Sequence, residues 1–193
     1  MIKKALSSLA LLLALIATIS EAKQLTNEQL AELPVSVQKF VLLNRSIIDK
    51  GGKGIKAASF KEANYQFSGT AIYGTPSGEP QIYMAIVTSA GNEASIGFKV
   101  ARKCNITKQG GSPIDRVIRV DGTNISAATI CGTEPGSAET LEVFVLKTRA
   151  GKAYIQKKFS ENLYVFVDFG NGEIPFATDG FNVLWQRANE PAL

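Results

Sequence analysis

The chain has 193 residues, a formal net charge of +4, two cysteines and no histidine, with 45% hydrophobic and 20% charged residues. The missing histidine excludes serine–histidine–aspartate hydrolase chemistry and removes the commonest metal ligand and neutral-pH proton shuttle. So small a positive excess does not suit a dedicated nucleic-acid binder, which concentrates far more basic charge on one face.

In chain order, Lys3 and Lys4 precede an apolar run from Ala5 to Ile19 that ends in Ser20-Glu21-Ala22. A basic start, a short apolar centre and a small residue at the cleavage point predict a secretory signal peptide over 1–22 and not a transmembrane helix. The mature chain is expected to begin at Lys23, to lack a transmembrane segment, and to be periplasmic or secreted. Cleavage removes two lysines and one glutamate, so the mature net charge is +3. Residues 23–193 are long enough for one domain with a sizeable core.

Thr26 and Gln29 have the spacing of a capping box, which starts a short helix running to about Leu33. Pro34 interrupts that helix and is placed to open a second one. Val37, Phe40, Val41, Asn44, Ile47 and Ile48 recur at three- and four-residue steps, and Lys50-Gly51-Gly52 ends the pattern, giving a helical segment over 26–50.

From Phe67 the apolar period becomes two, in short runs separated by turn residues. Strands are expected at Phe67 to Tyr73, Gln81 to Thr88, Ser95 to Cys104, Arg116 to Val120, Ile125 to Cys131, Leu141 to Thr148, Lys152 to Phe159, Tyr164 to Phe169 and Glu173 to Ala177. Gly74 to Pro80, Asp121 to Asn124, Arg149-Ala150-Gly151 and Gly170-Asn171-Gly172 read as hairpin connections. Leu163 to Phe169 is apolar on both faces, the mark of a strand covered on both sides. Phe181, Leu184 and Trp185 then stand at helical spacing. The fold class is mainly β: an antiparallel β-sandwich or barrel with an N-terminal helix pair and a short C-terminal helix.

An oxidising compartment favours a disulfide between Cys104 and Cys131, and their spacing excludes a C-x-x-C redox pair. Two cysteines without histidine do not make a metal site, and no cofactor motif is present. Asp121-Gly122-Thr123-Asn124 lacks the alternating oxygen ligands and terminal glutamate of a calcium loop and reads as a type I′-like turn. Gly51-Gly52-Lys53-Gly54 follows a helix, whereas a phosphate-cradling loop follows a strand. The Asn-x-Ser/Thr matches at Asn44, Asn105 and Asn124 are taken as chance. Asp115, Asp121, Glu134, Glu139, Asp168, Glu173 and Asp179 fall at turns and strand ends, where carboxylates are solvated or cap the backbone.

No catalytic set is visible. Basic residues cluster along the middle and late segments, and the candidate binding surface comprises Lys99, Arg102, Lys103, Arg116, Arg119, Lys152, Tyr154, Lys158 and Tyr164. Charged sheet edges that resist aggregation explain such clusters in structural terms; recognition of a protein or an anionic envelope polymer explains them in functional terms. The leading expectation is an exported, non-catalytic envelope protein that binds another macromolecule as inhibitor, immunity factor or accessory subunit. The alternatives are an envelope-polymer hydrolase built on carboxylates or a serine–lysine pair, and a small-ligand carrier with an apolar cavity.

Overall fold

A computed structural model describes residues 25–63, 66–74, 81–90, 93–102, 104, 113–133 and 140–190. Nine strands, β1 (Gly54–Ala63), β2 (Gln66–Gly74), β3 (Gln81–Ala90), β4 (Glu93–Val100), β5 (Ile114–Val120), β6 (Thr123–Thr133), β7 (Thr140–Leu146), β8 (Tyr164–Asp168) and β9 (Glu173–Ala177), form one antiparallel sheet. Their order is β1-β2-β3-β4-β7-β6-β5-β8-β9, and the sheet curls until β9 lies against β1 and β2. The architecture is thus a nearly closed barrel with helices, in agreement with the fold class read from the sequence.

The inner face carries the main core. Phe98 from β4, Phe144 from β7 and Phe169 and Phe176 from the β8–β9 hairpin meet ring to ring, with Phe98 5.4 Å from Phe169 and Phe144 5.1 Å from Phe169. The rings of Phe159 and Phe181, carried by two helices, complete this cluster and meet Phe60 of β1.

Helices α1 (Asn27–Ala31) and α2 (Val35–Asp49) pack outside the barrel. Thr26 and Gln29 form the expected capping box, with the Gln29 amide donating to Thr26 Oγ1 and the Thr26 amide to Gln29 Oε1. Gly51, with φ of 85°, terminates α2. Val37, Phe40, Val41 and Ile47 pack on Ile55 of β1 and on Tyr164 and Phe166 of β8, so α2 crosses the place where the sheet ends approach each other. This explains β8: its inner residues face the barrel core, its outer residues face α2, and all five are buried.

The seam between β1 and β9 is closed by substitutes for a ladder. Asn44 accepts from the Ile55 amide at 2.8 Å and donates to the Ile55 carbonyl at 3.3 Å. Farther along the same edge, the Phe60 amide donates to the Asp179 carbonyl at 2.7 Å. β1 was absent from the sequence reading because Gly-Ile-Lys-Ala-Ala-Ser-Phe-Lys-Glu-Ala has few β-formers; its lysines suit an edge strand, and its pairing comes from tertiary partners.

One element corrects the sequence reading. Arg149 to Glu161, expected as a hairpin loop followed by a strand over Lys152 to Phe159, is the helix α3 (Arg149–Glu161). Thr148 is its N-cap and accepts from the Gly151 amide at 3.0 Å. Gly151, Ile155 and Phe159, four residues apart, form its buried stripe, and Ile155 is the only β-branched residue in the segment. Gly151 is required by proximity, since a Cβ there would lie 2.9 Å from both Ile125 Cγ2 and Thr148 Oγ1. The last helix, α4 (Phe181–Ala188), buries Phe181, Leu184 and Ala188 beside α3.

Two expected turns are realised, at Asp121-Gly122 and at Gly170 to Gly172, while residues 75–80 of the expected Gly74 to Pro80 connection lie outside the described residues. Val120 pairs with Thr123 around Asp121 and Gly122, whose φ values of 46° and 82° are those of a type I′ turn. Asp121 also joins this turn to β8, because its Oδ1 accepts from the Phe166 amide at 3.0 Å.

Candidate binding surface

The structure distributes the sequence-predicted site residues over several regions. Cys104 and Cys131 form the expected disulfide, with Cα atoms 5.7 Å apart. The register pairs Val100 of β4 with Glu142 of β7 and Glu142 with Cys131 of β6, so the bridge links the exit of β4 to β6 across the start of β7. Arg102 lies within this clasp and donates from Nε to Glu142 Oε2 at 2.7 Å. Lys103 lies outside the described residues.

Arg119 projects outward from β5 and donates to Asp168 Oδ2 at 2.6 Å. Asp168 Oδ1 accepts from the amides of Gly170 at 2.7 Å and Gly172 at 3.1 Å, which fixes the β8–β9 turn. The Arg119 hydrogen bond holds the Asp168 carboxyl below its ordinary pKa against the opposing effect of burial, and the turn amides add to the depression. The same bond raises the Arg119 pKa, with a further contribution from the charge of Asp168. Next to this pair, Lys39 of α2 donates to Glu173 at 2.6 Å and stands 4.2 Å from the Phe166 ring centroid.

Lys99 is half-buried on the outer face of β4, in register with Met84 and Val143. Arg116 is exposed on β5 opposite Ala127. Tyr164 is withdrawn from the surface: its ring stacks on Phe40 at 4.3 Å, and burial pushes its hydroxyl pKa up to about 12. The sequence placed it on a strand without showing which element covers that face.

Lys152, Tyr154 and Lys158 all lie on α3, where Tyr154 and Lys158 are one turn apart and Lys152 falls on the other flank of the buried stripe. The Tyr154 hydroxyl lies 2.8 Å from Thr123 Oγ1, and Lys158 Nζ lies 5.5 Å from the Tyr154 ring centroid. Folding this segment as a helix adds Arg149 and Lys157, two basic residues that the candidate set omitted. With Glu161 as its only acidic residue, α3 has a net charge of +3, equal to that expected of the whole mature chain.

Ion pairing sharpens this contrast. Lys39, Arg102, Arg119, Lys147 and Arg187 each pair with a carboxylate on another part of the fold. Among the described residues, the one ion pair on α3 is Lys157 with Glu161, both on the same helix, at 3.9 Å. Arg149 and Lys152 also occupy the first turn, which contains no acidic residue, so they oppose the helix dipole. The concentrated charge therefore has a local electrostatic cost.

Among the described residues no group of three or more cysteine, aspartate or glutamate side chains is arranged to hold a metal ion, and no helix is long and apolar enough to cross a membrane. Comparison with protein families, curated proteins and solved structures finds no match.

Proposed function

We propose that the mature protein is an exported, non-catalytic binding protein that contacts an anionic macromolecule in the cell envelope through α3. The observation that carries this reading is the charge distribution: α3 alone accounts for the net charge of the mature chain. Exposed charges of one sign raise the local concentration of an opposite partner and speed its capture.

The two alternatives have less support. Asp168 and Glu142, the carboxylates most withdrawn from solvent among the ion pairs, are engaged by Arg119 and Arg102. A carrier requires an apolar cavity, whereas phenylalanine rings from the sheet and from α3 meet within the barrel.

The test is capture by immobilised polyglutamate of protein purified after export, compared with a variant carrying Arg149→Gln, Lys152→Gln, Lys157→Gln and Lys158→Gln. The expected result is salt-sensitive retention that the variant loses while its thermal unfolding is preserved. Equal retention of both proteins refutes α3 as the contact surface.

A further inference from the structure

β5 runs on past the end of the strand beside it. β8 meets β5 at the register pairs Arg119–Asp168 and Val120–Val167, and the chain then turns toward β9 through Gly170 and Gly172. Among the described residues, no strand continues that line beside residues 114–118. We infer that this edge of β5 accepts an extended segment of another protein as an added antiparallel strand, with an acidic side chain opposite Arg116. The surface is separate from α3.

The ladder fixes which backbone groups face outward. The two-residue turn makes Val120 and Thr123 a hydrogen-bonded pair, so Ile118, Arg116 and Ile114 bond to β6, and Asp115 and Val117 direct their amides and carbonyls away from it. Ser126, the register partner of Val117, agrees with this parity, because its carbonyl accepts from the Lys147 amide on the opposite side at 3.1 Å. Burial changes at the same place. Ile118 is 1% exposed, whereas Arg116, on the same face of the strand, is exposed and Val117 is 63% exposed. Outward main-chain donors and acceptors on an edge strand are a template for a further strand.

The side chains select the occupant. Two copies joined β5 to β5 about a two-fold axis perpendicular to the sheet must pair one residue with itself. An axis at Val117 brings Asp115 of the second copy beside Arg119, where Asp168 of β8 already lies. An axis at Arg116 sets two guanidinium groups opposite each other; one at Asp115 opposes two carboxylates and puts Pro113, which has no amide proton, beside Val117. Each register is opposed, so a foreign strand fits where a second copy does not. Asp115 pairs with Lys147 at 2.7 Å, while Arg116 has no carboxylate partner among the described residues. The complementary segment therefore carries a carboxylate opposite Arg116 and an aliphatic side chain opposite Val117, over a span of roughly 17 Å.

The probe is the blocked peptide acetyl-Thr-Val-Glu-Thr-Val-amide, whose glutamate falls opposite Arg116 and whose first valine falls opposite Val117. In the exported protein alone, amide exchange is expected to be fast at Asp115 and Val117 and slow at Arg116 and Ile118. Slow exchange at Asp115 and Val117 without peptide means that another segment of the chain covers the edge, and overturns the inference. Millimolar peptide should slow both amides at least about fivefold; no slowing overturns strand addition. N-methylation of the valine and threonine flanking the glutamate, whose amides face Val117 and Asp115, should abolish binding, and equal binding of the methylated peptide overturns strand addition. Arg116→Glu weakens binding about fivefold, and a peptide with lysine in place of glutamate restores it; indifference to this exchange overturns the acidic partner. The variant lacking the four basic residues of α3 should bind the peptide unchanged, whereas loss of binding there assigns the peptide to α3 and overturns the β5 site.

Discussion

Replacing Asn44 with alanine tests how the barrel is sealed. Ile55 is fully buried, and the Asn44 side chain holds both its amide and its carbonyl, which point away from β2 at an edge without a strand neighbour. The variant loses two hydrogen bonds and leaves a buried donor and acceptor unsatisfied. At about 1–3 kcal/mol for an unsatisfied buried group, with partial relief by water or local movement, the expected loss of stability is about 2–4 kcal/mol. Urea unfolding reads this as a midpoint lowered by about 1–2 M, using an m-value of about 2 kcal/mol/M. Hydrogen exchange should accelerate at the Ile55 amide more than at Phe98 amid the interior strands. A loss below about 0.5 kcal/mol, or exchange at Ile55 unchanged relative to Phe98, would show that Asn44 does not seal the edge. Asn44→Asp offers a second check: it keeps an acceptor for the Ile55 amide but loses the donor to the carbonyl and introduces a charge in a buried site.

Three further outcomes follow from the same structure. Because the folded-state pKa of Asp168 is depressed, its contribution is present above the unfolded carboxyl value of about 4 and is lost as pH falls through the lower folded value. Asp168→Asn should therefore flatten the acid limb of stability against pH in urea titrations; an unchanged limb argues against the Arg119 pair as its source. Tyr164 has the opposite sign: its contribution is complete below the unfolded value of about 10 and is lost between there and its folded value of about 12. Tyr164→Phe should remove that alkaline loss, and phenolate absorbance appearing near pH 10 for Tyr164 in the folded protein would contradict its burial. Replacing Cys104 and Cys131 with serine opens a loop spanning 27 residues and should cost about 3.5 kcal/mol by chain entropy, read from denaturant unfolding. A loss below about 1 kcal/mol would mean that the unfolded chain is little constrained by the bridge.

Much of the fold was legible in local patterns. Thr26 and Gln29 announced a helix start because capping needs only neighbours in the chain, and Asp121-Gly122 announced a type I′ turn because its two positive φ angles select residue type. The doubly apolar run at Leu163 to Phe169 required cover on both faces, which the inner core and α2 supply from Tyr164 onward while Leu163 stays exposed. Arg149 to Glu161 was misread because alternating apolar and polar residues over a short span fit a period of two; the four-residue spacing of Gly151, Ile155 and Phe159 becomes decisive only with the Thr148 cap and the packing on Ile125. That error also left Arg149 and Lys157, which belong to the same basic cluster in the sequence, out of the candidate set. A strand sets Lys152, Tyr154 and Lys158 on one face and Lys157 on the other, whereas a helix assembles all four with Arg149 as one basic element.

The sequence by itself determined the β-rich class, the helical start, the turns and the capacity of its two cysteines to pair, because each depends on residue type, periodicity or pairing by elimination. Tertiary structure alone decided that Asn44 seals β1, that Tyr164 is covered by Phe40 while Arg102 and Arg119 are bound to carboxylates, and that Arg149, Lys152, Lys157 and Lys158 share one helix. Those outcomes depend on which residues distant in the chain come within a few ångströms. Coulombic pairing, burial and edge hydrogen bonding act through that distance, which sequence spacing does not specify.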